Sequence, residues 1–173
     1  MIITVTGTPG AGKTFAAKRI ARIMHARYFD LNAFIKKERL YDAYNSSLRT
    51  YDVDTRKLSR LSAILFSAYS STGRKLRLKK KEYTLRALLA ELSQHSWHHT
   101  EAQDIIIDSH LSHTIASDLC IVIRRDIALL AKEYRKRKYP AQKIRDNLES
   151  EIFQICLDEA RTVQRNVIVA HNP

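Results

Sequence analysis

Ile2-Ile3-Thr4-Val5-Thr6-Gly7-Thr8-Pro9-Gly10-Ala11-Gly12-Lys13-Thr14 decides the fold of this chain. The apolar run Ile2 to Val5 predicts a buried strand, and the stretch from Lys13 to His25, with Ile20, Ile23 and Met24 on one stripe, predicts a helix. Between them Gly7 to Thr14 matches the pattern G-x-x-x-x-G-K-[ST], in the strand-loop-helix setting that its chemistry requires. Glycines let the backbone curl so that N–H groups converge on phosphate oxygens, and the following helix adds its positive N-terminal end.

That loop predicts a site for the phosphates of ATP with Mg²⁺. Gly10, Ala11, Gly12 and Phe15 contribute backbone N–H groups, Lys13 reaches the β- and γ-phosphates, and the Thr14 hydroxyl is suited to Mg²⁺. Two later bursts, Ile105 to Ile107 before Asp108 and Leu119 to Ile123 before Arg124, are short and β-branched, as strands buried on both faces are. Arg27 to Leu31 and Val167 to Ala170 are weaker strand candidates. The expected architecture is α/β: one P-loop domain over 1–173, a doubly wound parallel sheet of about five strands flanked by helices.

Asp108 falls at the carboxyl end of its strand, where an acid supports Mg²⁺ in P-loop proteins, although a strand-terminal aspartate in a turn reads the same way. His110, two residues on, can position or deprotonate an attacking water, or cap a surface turn. Spacing alone leaves that choice open. Asp54 predicts the N-cap of a helix carrying Leu58, Leu61, Ile64 and Leu65, and a second helix is expected from Thr84 through Leu92. From Ala141 one long helix is expected, with Ile144, Leu148, Ile152, Ile155 and Cys156 on one face.

Over 173 residues, 30 Lys plus Arg against 18 Asp plus Glu give a net charge of +12. A nucleotide needs only a few cations, so the surplus suits a further polyanion such as RNA, or an acidic partner. Cys120 and Cys156 are too few for a disulfide framework and have no metal-ligand spacing, which predicts a reducing, intracellular setting without disulfides. No apolar run approaches the roughly 20 residues that span a bilayer, so no membrane association is expected. His95, His98 and His99 around Trp97 lack the Cys or acid that would complete a zinc pattern.

Four segments together resemble the adenylate kinase isoenzyme six family, also called the coilin-interacting nuclear ATPases, and its archaeal members above all. They are Thr6 to Thr14, Leu40-Tyr41-Asp42, Asp108-Ser109-His110-Leu111-Ser112-His113, and Lys143 through Glu151. The resemblance implies a nucleoside monophosphate kinase (ATP + AMP = 2 ADP) with ATPase activity, in which Asp108 organises Mg²⁺ and His110 serves hydrolysis. It implies a monophosphate-binding segment over 30–53, with Lys36 and Asp42 at the acceptor, and a lid over 136–146 whose Arg137 reaches the phosphates. Arg124 is placed to stack on adenine.

Lys36 stands where eukaryotic members carry an arginine, and so binds phosphate without bidentate geometry. Glu133 and Lys138 also depart from the lid pattern, replacing a basic residue and a glycine. The family's described role in late small-subunit ribosome maturation implies a platform ribosomal protein and possibly rRNA as partners, in a cytoplasmic location that is also nuclear for eukaryotic relatives. The segment 62–103 is longer than in those relatives, is expected to be a basic helical insertion, and contains the run Arg74 to Lys81.

Overall fold

The computed structural model describes residues 1–69, 76, 78–95, 97 and 104–173. Its strands are β1 (Ile2–Thr6), β2 (Arg27–Asp30), β3 (Ala43–Asn45), β4 (Thr50–Asp52), β5 (Glu82–Thr84), β6 (Ile105–Asp108), β7 (Leu119–Arg125) and β8 (Val167–Asn172). Its helices are α1 (Lys13–Met24), α2 (Leu31–Lys37), α3 (Thr55–Leu65), α4 (Leu85–Ser93), α5 (Ile127–Lys136), α6 (Ala141–Ile152) and α7 (Ile155–Val163). Six strands form one sheet in the order β2-β6-β1-β7-β8-β5, every pairing parallel. β3 and β4 make a separate antiparallel hairpin.

Continuous apolar strands need cover on both faces, and they get it. On one face Ile3, Val5, Ile121 and Ile123 pack with Ile20 of α1 and with Leu88 and Leu92 of α4. On the other, Ile2, Ile105 and Ile107 meet Leu31 and Ile35 of α2 and Leu58 of α3, while Cys120, Val122 and Val169 meet Leu157 and Ala160 of α7. β1 lies between β6 and β7, two strands that come much later in the chain, so the crevice at its carboxyl end opens at a topological switch point.

The sheet has six strands where about five are expected, and the extra one lies inside the segment expected to be helical. β5 is three residues long with a single apolar side chain, too short for a period-two pattern. It forms because the β8 edge offers backbone partners: Val169 N donates to the Lys81 carbonyl at 2.8 Å, and Tyr83 buries its ring while its hydroxyl donates to Glu91 at 3.0 Å. Asp54 caps α3 by accepting from Arg56 N and Lys57 N, and the Thr84 hydroxyl caps α4 by accepting from Ala87 N.

The long helix expected from Ala141 is two helices. Gln154 adopts φ 57°, breaking the path between α6 and α7, and Ile152 and Ile155 turn to solvent instead of sharing a buried face with Cys156. The break lets Glu151 end α6 against the phosphate loop while Leu157 and Ala160 restart on the sheet. Arg74, Lys75 and Arg77 of the basic run, and His98 with His99, fall outside the described residues. Both cysteines are free thiols, and among the described residues no helix is long and apolar enough to cross a membrane.

Candidate active site

β1 delivers the loop Gly7 to Gly12 to the carboxyl edge of the sheet, and α1 begins at Lys13. Gly7 has φ 133°, and a Cβ there would run into the Ile123 carbonyl oxygen. Gly12 has φ 97°, with Asn172 Nδ2 where its Cβ would stand. Only glycine permits both the backbone angle and the close approach. Neighbouring elements fix the loop from outside: Tyr134 OH donates to Pro9 O at 2.6 Å, Asn172 Nδ2 to Ala11 O at 2.9 Å, and Thr8 Oγ1 to Glu151 Oε2 at 2.8 Å.

Lys13 is buried, and its ammonium donates to Thr8 O at 2.7 Å. Burial lowers its pKa to about 8, against the opposing pull of Asp108. The β1–β6 register sets Val5 opposite Asp108, which brings that carboxylate beside the loop. Asp108 Oδ2 accepts from Thr14 Oγ1 at 2.6 Å and from Tyr28 OH at 3.0 Å. Asp108 Oδ1 is buried with no hydrogen-bond partner among the described residues. A bare carboxylate oxygen next to a hydroxyl oxygen is the hard donor set that Mg²⁺ takes, so these residues fit that ion.

Two cavities open from this edge and meet. A cavity of about 360 Å³ is lined by Gly10, Gly12, Lys13, Thr14, Asp108 and Arg137. A second, of about 400 Å³, is lined by Lys36, Arg49, Tyr51, Tyr139, Lys143 and Asn147. His110 lines both, as do Pro9 and Asn32. His110 stands exposed at this junction, yet loss of solvation against the cleft walls, then repulsion from Lys13, His113 and Lys143, lowers its pKa to about 4. It is neutral at pH 7, able to accept a hydrogen bond from water.

A family profile described as an AAA domain matches residues 3–154. A Methanosarcina mazei protein named "Putative adenylate kinase" is 31% identical over 161 residues, covering 92% of this chain and 72% of that protein. A Methanocaldococcus jannaschii protein of the same name is 27% identical over 161 residues, covering 93% and 72%. The Dictyostelium discoideum "Adenylate kinase isoenzyme 6 homolog" is 28% identical over 180 residues, covering 99% and 80%. This chain belongs to the adenylate kinase isoenzyme six family. It is an adenylate-kinase-like P-loop kinase, and its resemblance at four short segments extends along nearly the whole chain.

Within this family member, the residues expected at the phosphates from Gly10 to Phe15 lie together around the first cavity, except Ala11, which is buried behind it. Arg137 reaches the same cavity from the end of α5, its Nε donating to Glu133 Oε1 at 2.7 Å. Glu133, a departure from the family's lid pattern, is therefore the partner that holds this arginine. Lys36 lines the second cavity, its ammonium 5.3 Å from the Tyr51 ring centroid. Asp42 does not line it; exposed at the hairpin base, it donates its backbone N–H to Asp52 O at 2.8 Å.

Arg124, expected to stack on adenine, has its guanidinium committed elsewhere. Its Nε donates to Glu151 Oε1 and its Nη2 to Glu151 O, each at 3.0 Å. It edges a third cavity of about 630 Å³ at the ends of β7 and β8.

The sequence reading missed Tyr28, Arg49, Arg125 and Lys143. Lys143 donates to Leu48 O at 2.8 Å and to Arg49 O at 3.0 Å, tying α6 to the β3–β4 hairpin. Its place in a motif segment was the one available signal. Arg49 sits in a hairpin turn at φ 50°, and nothing local marks it.

Proposed function

We propose that this protein is a Mg-ATP-dependent nucleoside monophosphate kinase of adenylate kinase type, with ATPase activity at the same site. The observation that carries this reading is the meeting of two cation-lined cavities at His110: the phosphate loop with Lys13 and Arg137 on one side, and Lys36, Arg49 and Lys143 on the other. Donor polyphosphate suits the first and acceptor monophosphate the second. An acceptor phosphate oxygen then bonds to the γ-phosphorus, the bond from that phosphorus to the β–γ bridging oxygen breaks, and two diphosphates result.

Lys13 and the loop N–H groups hold the donor's β- and γ-oxygens, and Arg137 meets the charge of the transferring phosphoryl group. Thr14 and Asp108 would hold Mg²⁺, which when bound would supply charge neutralisation at the donor phosphates. When the acceptor cavity is empty, neutral His110 positions an attacking water by accepting its hydrogen bond, and ATP plus water then give ADP and phosphate. The excess positive charge and the family resemblance support a role in late small-subunit ribosome maturation, with a platform ribosomal protein or rRNA as partner.

ATP consumption by the purified protein with Mg²⁺, with and without AMP, tests this directly when ADP and inorganic phosphate are followed separately. Extra ADP without extra phosphate on adding AMP is the expected result. Phosphate release indifferent to AMP would leave an assembly ATPase, and no turnover at all would leave a nucleotide-responsive binding module. His110→Ala is expected to slow hydrolysis by about 10²-fold while transfer to AMP falls much less, because only hydrolysis needs a placed water. Equal losses in both reactions would reject that role.

A further inference from the structure

Arg125 is the last residue of β7, in register with Asn172 of β8. Asn172 and Arg125 both brace the phosphate loop: Asn172 Nδ2 donates to Ala11 O, and Arg125 Nη1 donates to Gly10 O at 3.2 Å. Arg125 also lines two spaces at once, the 360 Å³ cavity of the phosphate loop and the 630 Å³ cavity at the ends of β7 and β8. Among the described residues it is the one lining residue the two spaces share.

Its Nε is buried and has no hydrogen-bond partner among the described residues. A buried guanidinium N–H without an acceptor is rare and costly, since the proton cannot be shed. The nearby carboxylate does not relieve it. Glu133 shares the cavity and is held below the usual carboxylate range, first by its hydrogen bond and charge contact with Arg137 and only last by Arg125. Arg124 is already neutralised by Glu151. Arg125 is thus a fixed cation with an unused donor, at the inner end of a polyphosphate cradle.

We infer that Arg125 is a donor-binding residue that grips the α-phosphate of the nucleoside triphosphate where the chain leaves the phosphate loop for the larger cavity. This rests on the reading of Gly7 to Thr14 as the donor site. The β- and γ-phosphates lie over the loop N–H groups and Lys13, the α-phosphate lies at the junction, and the nucleoside enters the larger cavity. Thr84 and Arg86 from β5 and α4 also line that cavity, so the additional edge strand bounds the donor's nucleoside end.

Calorimetric titration with ATP and, separately, with inorganic pyrophosphate tests the assignment on the full chain. Arg125→Met is expected to weaken ATP by about ten- to a hundredfold, the loss of one charge-assisted hydrogen bond, while pyrophosphate stays within about twofold. Arg125→Gln, which keeps an N–H for Gly10 O, should show the same pattern if Arg125→Met folds poorly. Equal weakening of both ligands would overturn the inference, leaving Arg125 as a brace for the loop, and unchanged ATP affinity would overturn it too. Lys13→Ala run alongside separates the two levels. If Lys13→Ala binds ATP as the parent does, the donor-site reading itself falls, whereas loss at Lys13 with none at Arg125 sinks this inference alone.

Discussion

Lys13→Ala leaves a folded protein that has lost ATP turnover by about 10³-fold or more. The ammonium is buried against the loop and held by Thr8 O at 2.7 Å, so it meets the polyphosphate already desolvated and in place, and among the described residues no other lysine lines this cavity. The same burial that prepares it also destabilises the empty protein. With the folded pKa lowered from 10.5 to about 8, the unfolded chain binds more protons between those values, so stability rises with pH across that window.

Nucleotide affinity runs the other way: above about pH 8 Lys13 discharges in the free protein, and ATP must bring a proton back. Calorimetry at pH 8.5 in buffers of different ionisation enthalpy should register proton uptake on ATP binding. Lys13→Met should abolish that uptake and raise the unfolding temperature at pH 7. A variant that keeps its turnover, or its proton uptake, would remove Lys13 from the phosphates.

How far the sequence carries depends on how much of each feature is local. Gly7 to Thr14 is legible because strand, turn, cation and hydroxyl all lie within one short segment, and the structure sets them round one cavity. The strands Ile105 to Asp108 and Leu119 to Arg125 are legible because two-sided burial demands unbroken apolar runs. β5 is not, since its existence depends on an open edge of β8 and on a single tyrosine.

The break at Gln154 is invisible for a similar reason. The periodicity of Ile144, Leu148, Ile152 and Ile155 is real, but the tertiary demand on Glu151 overrides it. At the site, Tyr28 and Arg125 owe their positions to strand register alone, Tyr28 through the β2–β6 pairing and Arg125 through β7 and β8. Arg124 and Arg125 are adjacent and identical in type, and only the structure distinguishes the one tied to Glu151 from the one with a free donor.

Glu151→Ala is expected to lower stability by about 3 kcal/mol, a fall of about 6–12 °C in the unfolding midpoint for a chain of this size. Glu151 is 4% exposed at the end of α6, where the helix dipole is unfavourable to an anion. It is tolerated because both oxygens are bonded, Oε1 to Arg124 Nε and Oε2 to Thr8 Oγ1. Removing the carboxylate leaves Arg124 without its counter-charge and Thr8 without its acceptor, which costs more than the pair contributes as a whole.

Arg124 retains some contact with water and its bond to Glu151 O, which keeps the expected loss at the lower end of the range for buried pairs. Because Thr8 belongs to the phosphate loop, the same variant should also weaken ATP, and α6 carries that effect further: its other end reaches the hairpin through Lys143. Glu151→Gln, which preserves an acceptor for Thr8, should recover nucleotide affinity more fully than stability. Thermal unfolding of the two variants with and without ATP separates these effects, and a midpoint within about 2 °C of the parent for Glu151→Ala would show that Tyr134, Asn172 and Arg125 hold the loop without it.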